Sequence, residues 1–497
     1  MENKIFVLNP DYHFKNDIDR VALFSGMRVN DYSEKDWSSY IHPLQAMILN
    51  SFSEEKSLKD QYNELSSTLS IPVETVETMI KPYMENETSV YTEFAGEEIL
   101  FPKNVLISRD KLKGARKIEC EDYSLFDCEN VNLKQDRLHK APQTMLFMVT
   151  SKCVTNCKYC YADRKTKYDQ MSTEQILKII DEAASLKMTN VDVIGGELFC
   201  LPDWNVIIKK LVDYHMTPTY ISTKCPISRN MVKKLYETGY DDVVQISLDS
   251  MRDDVLGNII GTKTGYVEKI KKTISYLQEY GFQIQIDTIL TNLNSSSEEL
   301  MELYDYIKDI KNFKHWEIRV PEVSIYTPSS FSEVQASKET IKQLGIYIRE
   351  ELIPKSKVKI YYSDQAINDI YGKGKADDLC FEGGRCDILK DRMFVLPDGK
   401  VTICEQLYWH PQFIFGDLTK QSIEEVWNSP KAKALFAFHN SDFEDSSCSN
   451  CGILDFCNTN KRRCYVKTVK AYGPENWNYP DPRCEFSPKV ESGMIYR

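Results

Sequence analysis

The sequence predicts an α/β protein in which six strand–helix units of a parallel sheet lie between a small N-terminal unit and a cysteine-rich C-terminal part. Three observations predict this organisation. From residue 144, apolar runs alternate with amphipathic helical segments. The first 85 residues combine two short strand patterns with three helical ones. Eight cysteines lie between positions 380 and 484. We therefore predict segments at residues 1–85, 86–140, 141–335 and 336–497.

The composition narrows the class of protein. The chain has 497 residues, 15 cysteines and a formal net charge of −12. Interspersed charges without a basic stripe argue against nucleic-acid binding. No apolar run reaches the roughly 18 residues of a membrane span, and the N-terminus lacks the pattern of a signal peptide. We predict a cytoplasmic protein with no nucleic-acid or membrane partner, whose reduced cysteines bind metal rather than form disulfides.

The N-terminal segment predicts a small hairpin and three helices. Apolar runs at residues 5–8 and 21–24 are typical of short strands. The helices are predicted to begin near Pro43, Ser57 and Pro72, because proline suits the first helical turn and serine suits the N-cap. Residues 86–140 add hairpin-like strand patterns and a charged connector with Cys120 and Cys128, which we interpret as a bridging region with free structural thiols.

The central segment predicts six parallel strands. Each apolar run is followed by a helical pattern, and Ser172 with Gln175 forms a capping-box signature at the first helix. The predicted strands are residues 145–149, 190–194, 219–222, 243–248, 283–290 and 316–320. Ligands of parallel folds bind at the carboxyl ends of the strands, so these ends are where we expect the functional residues.

Three cysteines follow the first of these strands in the spacing C-x3-C-x2-C. Cys153, Cys157 and Cys160 place three thiolates on one short loop. Three thiolates can hold three irons of a four-iron–four-sulfur cluster and leave the fourth iron open for chemistry. The alternative is a zinc site, which needs a fourth ligand from elsewhere in a chain with only 7 histidines.

This cysteine spacing resembles the signature of the radical S-adenosylmethionine (SAM) superfamily. The resemblance implies a partial (β/α)6 barrel, and an open iron that chelates the amino and carboxylate groups of SAM. It also implies that electron transfer cleaves SAM, and that the resulting 5′-deoxyadenosyl radical takes a hydrogen atom from the substrate.

The residues after the second strand match a further motif of that superfamily. Gly195-Gly196-Glu197 corresponds to its GGE motif, in which glycines allow close approach to a ligand and the carboxylate pairs with the SAM ammonium group. A plain tight turn would not require the acid. Tyr159 occupies the position where the family places an aromatic ring against adenine, and ordinary packing is its alternative role.

Polar residues at two further strand ends resemble the family's SAM contacts. Ser222 ends the third strand, and Ser247 and Asp249 end the fourth, so the resemblance implies contacts to ribose or methionine groups. The chain departs from relatives at residues 258–261, which read Asn-Ile-Ile-Gly where we expect an arginine before the glycine. For Cys200 and Cys225, which also lie near strand ends, we expect packing roles.

The pattern of eight cysteines between positions 380 and 484 resembles the SPASM extension of peptide-modifying radical SAM enzymes. Eight thiolates match two four-cysteine clusters, although two zinc sites would need the same number. The resemblance implies one auxiliary cluster on Cys380, Cys386, Cys404 and Cys464, and a second on Cys448, Cys451, Cys457 and Cys484. Six residues separate Cys457 from Cys464, where relatives commonly have three. The two sets could therefore exchange a ligand, or one iron could be open to substrate.

The order of elements in residues 1–85 resembles the RiPP recognition element, a winged-helix domain that binds the leader of a ribosomally made peptide as an added strand. A DNA-binding winged helix is the weaker alternative, because the segment has no basic recognition helix. The three resemblances together imply a precursor peptide as partner.

The implied activity is that of a radical SAM peptide maturase. We predict that it abstracts hydrogen from a precursor peptide and forms an intramolecular thioether between a cysteine sulfur and a carbon of another residue. The implied cofactors are SAM and three 4Fe–4S clusters, with a flavodoxin- or ferredoxin-like electron donor. The alternatives are a carbon–carbon crosslinking maturase, a sulfatase-maturating type of enzyme, and a non-catalytic zinc-binding winged-helix protein.

Overall fold

A computed structural model describes residues 4–26, 32, 34, 37–112, 121–122, 126, 130–134, 136–321, 324–363, 389–459 and 463–488. The chain divides into two compact units, Met1–Ala141 and Pro142–Arg497. Cys120, Cys128, Cys380 and Cys386 lie outside the described residues. Within the described part, no helix combines the length and apolar character needed to cross a bilayer.

Unit 1 contains a three-stranded antiparallel sheet, a hairpin and three helices. Its strands are β1 (Phe6–Leu8), β2 (Tyr12–Asn16), β3 (Val21–Ser25), β4 (Ser38–Ile41), β5 (Val90–Phe94), β6 (Glu97–Phe101) and β7 (Leu106–Ser108). Its helices are α1 (Pro43–Asn50), α2 (Leu58–Leu69) and α3 (Val73–Ile80). The helices begin where the sequence predicts, with Ser57 accepting a hydrogen bond at the start of α2.

The pairing of the first strands differs from the prediction. Strand β3 pairs with β2 and β4, whereas β1 pairs with β7, so residues 5–8 and 21–24 do not form a hairpin together. The sequence concealed β2 because polar His13, Lys15 and Asn16 interrupt its apolar residues. One hydrophobic core joins residues of the predicted N-terminal segment to Ile99 and Phe101 of the predicted bridging region.

Unit 2 begins with seven parallel strands and eight helices. The strands are β8 (Thr144–Thr150), β9 (Asn190–Gly195), β10 (Ile221–Thr223), β11 (Val243–Ser247), β12 (Gln283–Ile289), β13 (Phe313–Arg319) and β14 (Ile360–Ser363). The helices are α4 (Thr173–Ser185), α5 (Trp204–Asp213), α6 (Arg229–Glu237), α7 (Asp253–Ile260), α8 (Tyr266–Glu279), α9 (Ser297–Ile307), α10 (Lys338–Tyr347) and α11 (Ile353–Lys355). The predicted α/β fold class is confirmed, and Ser172 and Gln175 form the predicted capping box.

The parallel strands form two adjoining sheets. Strands β10 to β14 pair in sequence order, while β8 pairs with β9 in a second sheet. Side chains connect the sheets across the break, since Asn190 donates to the Thr219 hydroxyl and Asp192 accepts the Thr219 N–H. The result is an open partial barrel rather than a closed one.

The C-terminal part extends the second sheet. Strand β15 (Arg392–Val395) runs parallel to β8, and β16 (Lys400–Thr402) and β17 (Gly416–Asp417) continue outward in antiparallel pairs. Four short helices follow, namely α12 (Ile423–Trp427), α13 (Pro430–Phe436), α14 (Leu454–Thr459) and α15 (Tyr465–Tyr472). The cysteine-rich part is therefore fixed to the strand that precedes the C-x3-C-x2-C loop.

Helix α7 is an element that the sequence reasoning missed. Residues 258–260, to which the sequence analysis assigned no helix, end this helix, and Gly261 closes it in the left-handed conformation at φ 72°. A helix of eight residues with two adjacent isoleucines has too short an apolar pattern to separate it from a loop. Its C-terminal end turns out to contact the cysteine loop.

Lys15 of β2 gives a test of unit 1. Its side chain is buried, its ammonium group donates to the Ala141 carbonyl, and burial lowers its pKa from 10.5 to about 7. Between these two pH values the unfolded chain binds one proton more than the folded chain. The free energy of unfolding of wild-type unit 1 should therefore rise by up to about 1.4 kcal/mol for each pH unit in this range. This added stability is lost again as the pH falls towards 7.

In Lys15→Met this pH dependence should disappear. The measurement is hydrogen–deuterium exchange of the β2 and β3 amides in the full chain at about pH 7 and about pH 9, corrected for intrinsic exchange. Equal pH dependence in the variant and the wild type would contradict the assignment.

Candidate functional site

The C-x3-C-x2-C loop connects β8 to α4 at the carboxyl ends of the parallel strands. The Thr155 hydroxyl lies 3.3 Å from the sulfurs of both Cys153 and Cys157, so the loop gathers its thiols on one side. Burial raises the pKa of Cys157 to about 11, and the ammonium group of Lys224 opposes that effect. The pKa of Cys160 is also raised by burial.

The end of α7 holds the cysteine loop in place. The N–H groups of Asn156 and Lys158 donate to the carbonyl oxygens of Ile260 and Ile259 at 2.9 and 3.0 Å. Helix carbonyls at a C-terminus have no partner within the helix, so the loop satisfies them. A Cβ on Gly261 would lie 3.3 Å from the Asn156 side chain. The loop thus uses the segment in which the chain departs from the family pattern.

The two glycines of the Gly195-Gly196-Glu197 motif allow close contact between backbones. A Cβ on Gly195 would lie 2.3 Å from the Thr150 carbonyl oxygen, and one on Gly196 would lie 2.3 Å from that of Lys152. The Gly196 N–H donates to the Thr150 oxygen at 2.7 Å. The glycines therefore pack the end of β9 against the start of the cysteine loop, and their close approach to SAM stays a prediction.

Glu197 is buried and joins two strand ends. The Thr223 hydroxyl lies 3.0 Å from both carboxylate oxygens, and the N–H groups of Lys224 and Cys225 donate at 3.0 and 3.2 Å. Burial raises the pKa of this carboxyl group, although these hydrogen bonds favour its charged form. Its pairing with the SAM ammonium group stays a prediction.

Tyr159 and Asp249 meet at a lysine that the sequence reasoning did not single out. The Tyr159 hydroxyl donates to Asp249 at 2.5 Å, and the Lys224 ammonium group lies 2.8 Å from the hydroxyl and 3.1 Å from the carboxylate. Burial opposes the charge of Lys224, but Asp249 and Cys157 raise its pKa. A lysine after a strand that ends in serine and threonine gives no distinctive signal in the sequence alone.

Ser222 and Ser247 lie on the concave face of the larger sheet. The Ser222 hydroxyl donates to the Gln245 side chain, which donates in turn to the Ser247 hydroxyl at 3.0 Å. Strand register places Ser247, Asp287, Glu317 and Tyr361 in one row across the sheet. The opposite face carries fully buried Ile246, Ile286 and Ile318. The sheet is therefore apolar towards the helices and polar towards the concave side.

An ionic group on that row was also missed. Arg319 contacts Asp287 at 3.0 Å and Glu317 at 2.6 Å, and Gln285 donates to Asp287 at 2.8 Å. Burial raises the pKa of Asp287 to about 6, and Arg319 opposes this shift. Alternating polar residues in 285–287 and 317–319 were the available signal, because parallel strands covered by apolar layers on both faces are almost continuously hydrophobic.

The residue after Cys160 links the barrel to the C-terminal part. The Tyr161 hydroxyl lies 3.5 Å from Glu405, the neighbour of Cys404, and the Tyr161 carbonyl oxygen accepts from Ser324 at 2.6 Å. Tyr408 packs in the same apolar cluster as Tyr161. A ligand predicted for an auxiliary cluster thus lies on a segment that contacts the first cysteine loop.

Hydrogen bonds link four of the six described C-terminal cysteines in two pairs, Cys448 with Cys451 and Cys464 with Cys484. The Asn440 amide donates to the carbonyl oxygens of Cys448 and Cys451 at 2.8 and 3.2 Å. The Asp481 carboxylate accepts the N–H of Cys464 at 2.9 Å, and the Cys484 N–H donates to the Asp481 carbonyl at 2.8 Å. Cys457 lies on α14. The partition of these cysteines between two clusters stays a prediction.

The cysteine thiols that we predict as ligands fit iron–sulfur clusters. Among the described cysteines, Cys153, Cys157, Cys160, Cys448, Cys451 and Cys464, together with Cys200 and Cys225, are free thiols. In the described part of the chain, no three His, Cys, Asp or Glu side chains converge as ligands of a single ion would. A four-iron cluster does not require such convergence, because each thiolate binds a different iron. Cys200 and Cys225 lie beside Glu197, and burial raises the pKa of both.

Two family models match this chain. The model of the radical SAM superfamily matches residues 147–307, and that of the iron–sulfur cluster-binding SPASM domain matches residues 386–452. The predicted family resemblance is confirmed. The chain contains a radical SAM domain and a SPASM domain, and SAM and iron–sulfur clusters are the cofactors of these domains.

Curated relatives share part or most of the chain. An S-adenosylmethionine-dependent nucleotide dehydratase of Flammeovirga pacifica is 24% identical over 182 residues, which are 35% of this chain and 60% of the relative. A PqqA peptide cyclase of Ruegeria pomeroyi is 22% identical over 357 residues, which are 70% of this chain and 88% of the relative. The cyclase similarity thus extends beyond the barrel.

Solved structures share the whole fold. The crystal structure of Streptococcus suis SuiB bound to precursor peptide SuiA has a TM-score of 0.62 and 13% sequence identity, and the match covers 97% of this chain and 100% of that chain. SuiB bound to S-adenosylmethionine has a TM-score of 0.61 and 14% identity. At a sequence identity this low, the structural similarity establishes the fold alone.

Gly196 gives a test of the loop geometry. A Cβ in Gly196→Ala would lie 2.3 and 2.5 Å from the carbonyl oxygens of Lys152 and Ser151, so the cysteine loop must move. Forced overpacking typically costs about 1–3 kcal/mol. We expect the purified variant to lose the iron of this loop, as measured by iron analysis after anaerobic reconstitution.

Gly452→Ala is the matched control. Gly452 directly follows Cys451, a predicted cluster ligand, but a Cβ there meets no atom within 4 Å. This variant should bind iron like the wild type. A Gly196→Ala protein with full iron content would contradict the steric account.

Proposed function

We propose that this chain is a radical SAM enzyme that modifies a ribosomally made precursor peptide and forms an intramolecular thioether. The observation that carries the proposal is the C-x3-C-x2-C loop at the open strand ends, beside a polar concave face and a cysteine-rich extension. The fold shared with peptide-bound SuiB over 97% of the chain supports a peptide substrate. So does the similarity to PqqA peptide cyclases.

Cys153, Cys157 and Cys160 would hold the SAM cluster, with Glu197, Tyr159, Ser222, Ser247 and Asp249 as the proposed polar and aromatic contacts to SAM. When bound, SAM supplies a 5′-deoxyadenosyl radical that abstracts hydrogen. The protein itself orients the target residue and excludes water. The concave face, which carries Asp287, Glu317 and Arg319, offers the peptide charged and hydrogen-bonding groups at the strand ends.

We further propose two auxiliary 4Fe–4S clusters on the C-terminal cysteines, a flavodoxin- or ferredoxin-like electron donor, and action in the cytoplasm. Thioether formation removes one hydrogen from a thiol and one from a carbon, so the crosslink is a two-electron oxidation. Of the proposed auxiliary ligands, Cys404 is the neighbour of Glu405, which the Tyr161 hydroxyl contacts from the first loop, and this proximity suits a role in accepting an electron.

A second candidate is a carbon–carbon crosslink between two residues of the peptide. The similarity to PqqA peptide cyclases over 70% of this chain favours it. Both products lack two hydrogens relative to the precursor. They differ in their thiols, because only a thioether consumes a cysteine that iodoacetamide could otherwise alkylate.

The test uses the full chain, reconstituted anaerobically and supplied with dithionite, SAM and candidate precursor peptides taken from the short open reading frames that neighbour its gene. We expect about twelve irons per chain, release of 5′-deoxyadenosine, and a peptide that lacks two hydrogens and one alkylatable thiol by mass spectrometry. Cys157→Ala should release no 5′-deoxyadenosine. Zinc without iron would favour the non-catalytic zinc protein, and a crosslinked peptide with all thiols intact would favour the carbon–carbon alternative.

The role of unit 1 can be tested separately. Its core extends beyond residue 85, so the deletion should remove residues 1–141. We expect the shortened protein to keep reductant-dependent SAM cleavage and to lose modification of the leader-bearing peptide. Unchanged peptide turnover would remove the proposed docking role.

A further inference from the structure

The loop that carries the C-x3-C-x2-C cysteines concentrates positive charge at the protein surface. Residues 151–168 contain five Lys or Arg residues and a single acidic residue, in a chain whose formal net charge is −12. Four of the five are exposed, and none of the four pairs with a carboxylate group of the residues that the structure describes. These four, which we call the basic loop surface, are Lys152, Arg164, Lys165 and Lys167.

The other two charges of this loop have partners. Lys158, the fifth cation, pairs with Glu333 at 2.8 Å. Asp163, the single acid, is buried, and its carboxylate accepts the N–H groups of Lys165 and Thr166 at 2.9 and 3.1 Å. The Thr166 hydroxyl donates to the same carboxylate at 2.6 Å. The acid therefore stabilises a turn of the loop instead of pairing with a cation at the surface.

Hydrogen bonds close this loop at its two ends. The Tyr168 hydroxyl accepts the Ser151 N–H at 2.9 Å and lies 2.6 Å from the Ser151 hydroxyl. The Tyr168 ring also stacks on Trp409, with the ring centroids 5.1 Å apart. Because Ser151 and Tyr168 are joined, their neighbours in the sequence, Lys152 and Lys167, lie at the same end of the loop.

Arg164 extends the basic loop surface to the middle of the cysteine loop. Its guanidinium group donates to the Thr155 carbonyl oxygen at 2.8 Å. The Thr155 hydroxyl lies 3.3 Å from the sulfurs of both Cys153 and Cys157. A positive charge is thus anchored to the residue that contacts two of the predicted cluster ligands.

An exposed apolar side chain accompanies these cations. Val154 lies between Cys153 and Thr155 in the sequence and is 54% exposed. Protein–protein interfaces combine an apolar centre with a polar rim. Val154 and the basic loop surface together match this pattern.

We propose that the basic loop surface is the docking site of the one-electron donor, an acidic protein of the flavodoxin or ferredoxin type. The inference rests on the cluster and the donor class assigned under the proposed function. One electron leaves the reduced donor and enters the cluster, so the donor is oxidised by one electron and the cluster is reduced by one. Because electrons pass between proteins only over short distances, the donor must dock close to the cluster ligands, and this surface lies on the loop that carries them.

Charge complementarity selects an acidic partner for this surface. Opposite charges steer two proteins together and fix their orientation. The closed loop needs little rearrangement on docking, which lowers the cost of association. The concave face proposed for the peptide holds two carboxylates, Asp287 and Glu317, around the guanidinium of Arg319, so it does not offer the same attraction to an acidic protein.

The main variant combines Lys152→Gln, Lys165→Gln and Lys167→Gln in the full chain. It removes three exposed charges and no residue to which we assign a contact with the cluster or with SAM. Arg164 is kept, because its hydrogen bond to the Thr155 carbonyl supports the cysteine loop.

The matched control combines Lys311→Gln, Lys314→Gln and Lys357→Gln. These lysines are also exposed, and within the described part of the chain they have no carboxylate partner. They lie at the amino ends of β13 and β14, at the edge of the sheet opposite to the cysteine loop. The control therefore removes the same charge from a different place.

The first measurement is the binding of an oxidised bacterial flavodoxin to the anaerobically reconstituted full chain by biolayer interferometry. At low salt we expect the Kd of the main variant to be about tenfold higher than that of the wild type, because each exposed charge contributes modestly. At high salt the two values should converge, because the charges are screened. The control variant should match the wild type under both conditions.

The second measurement compares two sources of electrons for SAM cleavage. One is the same flavodoxin, kept reduced by NADPH and its reductase, and the other is reduced methyl viologen, a small cation that a basic surface does not attract. With limiting flavodoxin, the main variant should release 5′-deoxyadenosine more slowly than the wild type. With methyl viologen, the two proteins should release it at the same rate.

Equal flavodoxin affinity in the main variant and the wild type, or an equal loss in the control variant, would overturn the proposal. Loss of peptide modification with methyl viologen, at unchanged flavodoxin affinity, would assign the surface to the precursor peptide instead. If the main variant binds less iron than the wild type, Lys165→Gln with Lys167→Gln replaces it, and a higher Kd is still required. Failure of the proposed function has a different signature, because the wild-type protein would then release no 5′-deoxyadenosine with methyl viologen.

Discussion

The site depends on a close backbone contact between the start of the cysteine loop and the end of β9. Gly196 donates to the Thr150 carbonyl at 2.7 Å, and neither Gly195 nor Gly196 has room for a Cβ. From the other side, the carbonyls of Ile259 and Ile260 accept N–H groups of the loop. Three cysteines on a short loop can present their sulfurs together only if the backbone is held in this way. Two glycines and one helix end supply that restraint without using a side chain that a cofactor would need.

Around this loop, each charged group has ionic or hydrogen-bonding partners. Glu197 is surrounded by a hydroxyl group and backbone N–H groups, Lys224 pairs with Asp249, and Arg319 lies between two carboxylates. Burying an unpaired charge is costly, so each set must form when the strands assemble. The parallel sheet accordingly separates its two functions. One face packs against helices with isoleucine and tryptophan, and the other holds polar groups for a ligand.

The sequence alone predicted features that depend on residues close together in the chain. It did not predict features that depend on contacts between residues far apart in the chain. Cysteine spacing, the Gly-Gly-Glu turn and the capping box at Ser172 are local patterns, and the sequence alone identified the radical SAM and SPASM domains that the family models confirm. Strand β2 and helix α7 were missed because their apolar patterns are short or interrupted. The close contact of Gly195 and Gly196 with the backbone of residues 150–152 was not foreseen from the sequence, and their predicted contact with SAM stays a prediction.

The sequence by itself determined the fold class and identified the radical SAM and SPASM domains, because both depend on residue types at fixed short spacings. Only the tertiary structure decided that β1 pairs with β7, that the end of α7 supports the cysteine loop, and that Lys224 meets Tyr159 and Asp249. These contacts join residues far apart in the chain. Their geometry follows from strand register and helix packing, which one-dimensional periodicity does not specify.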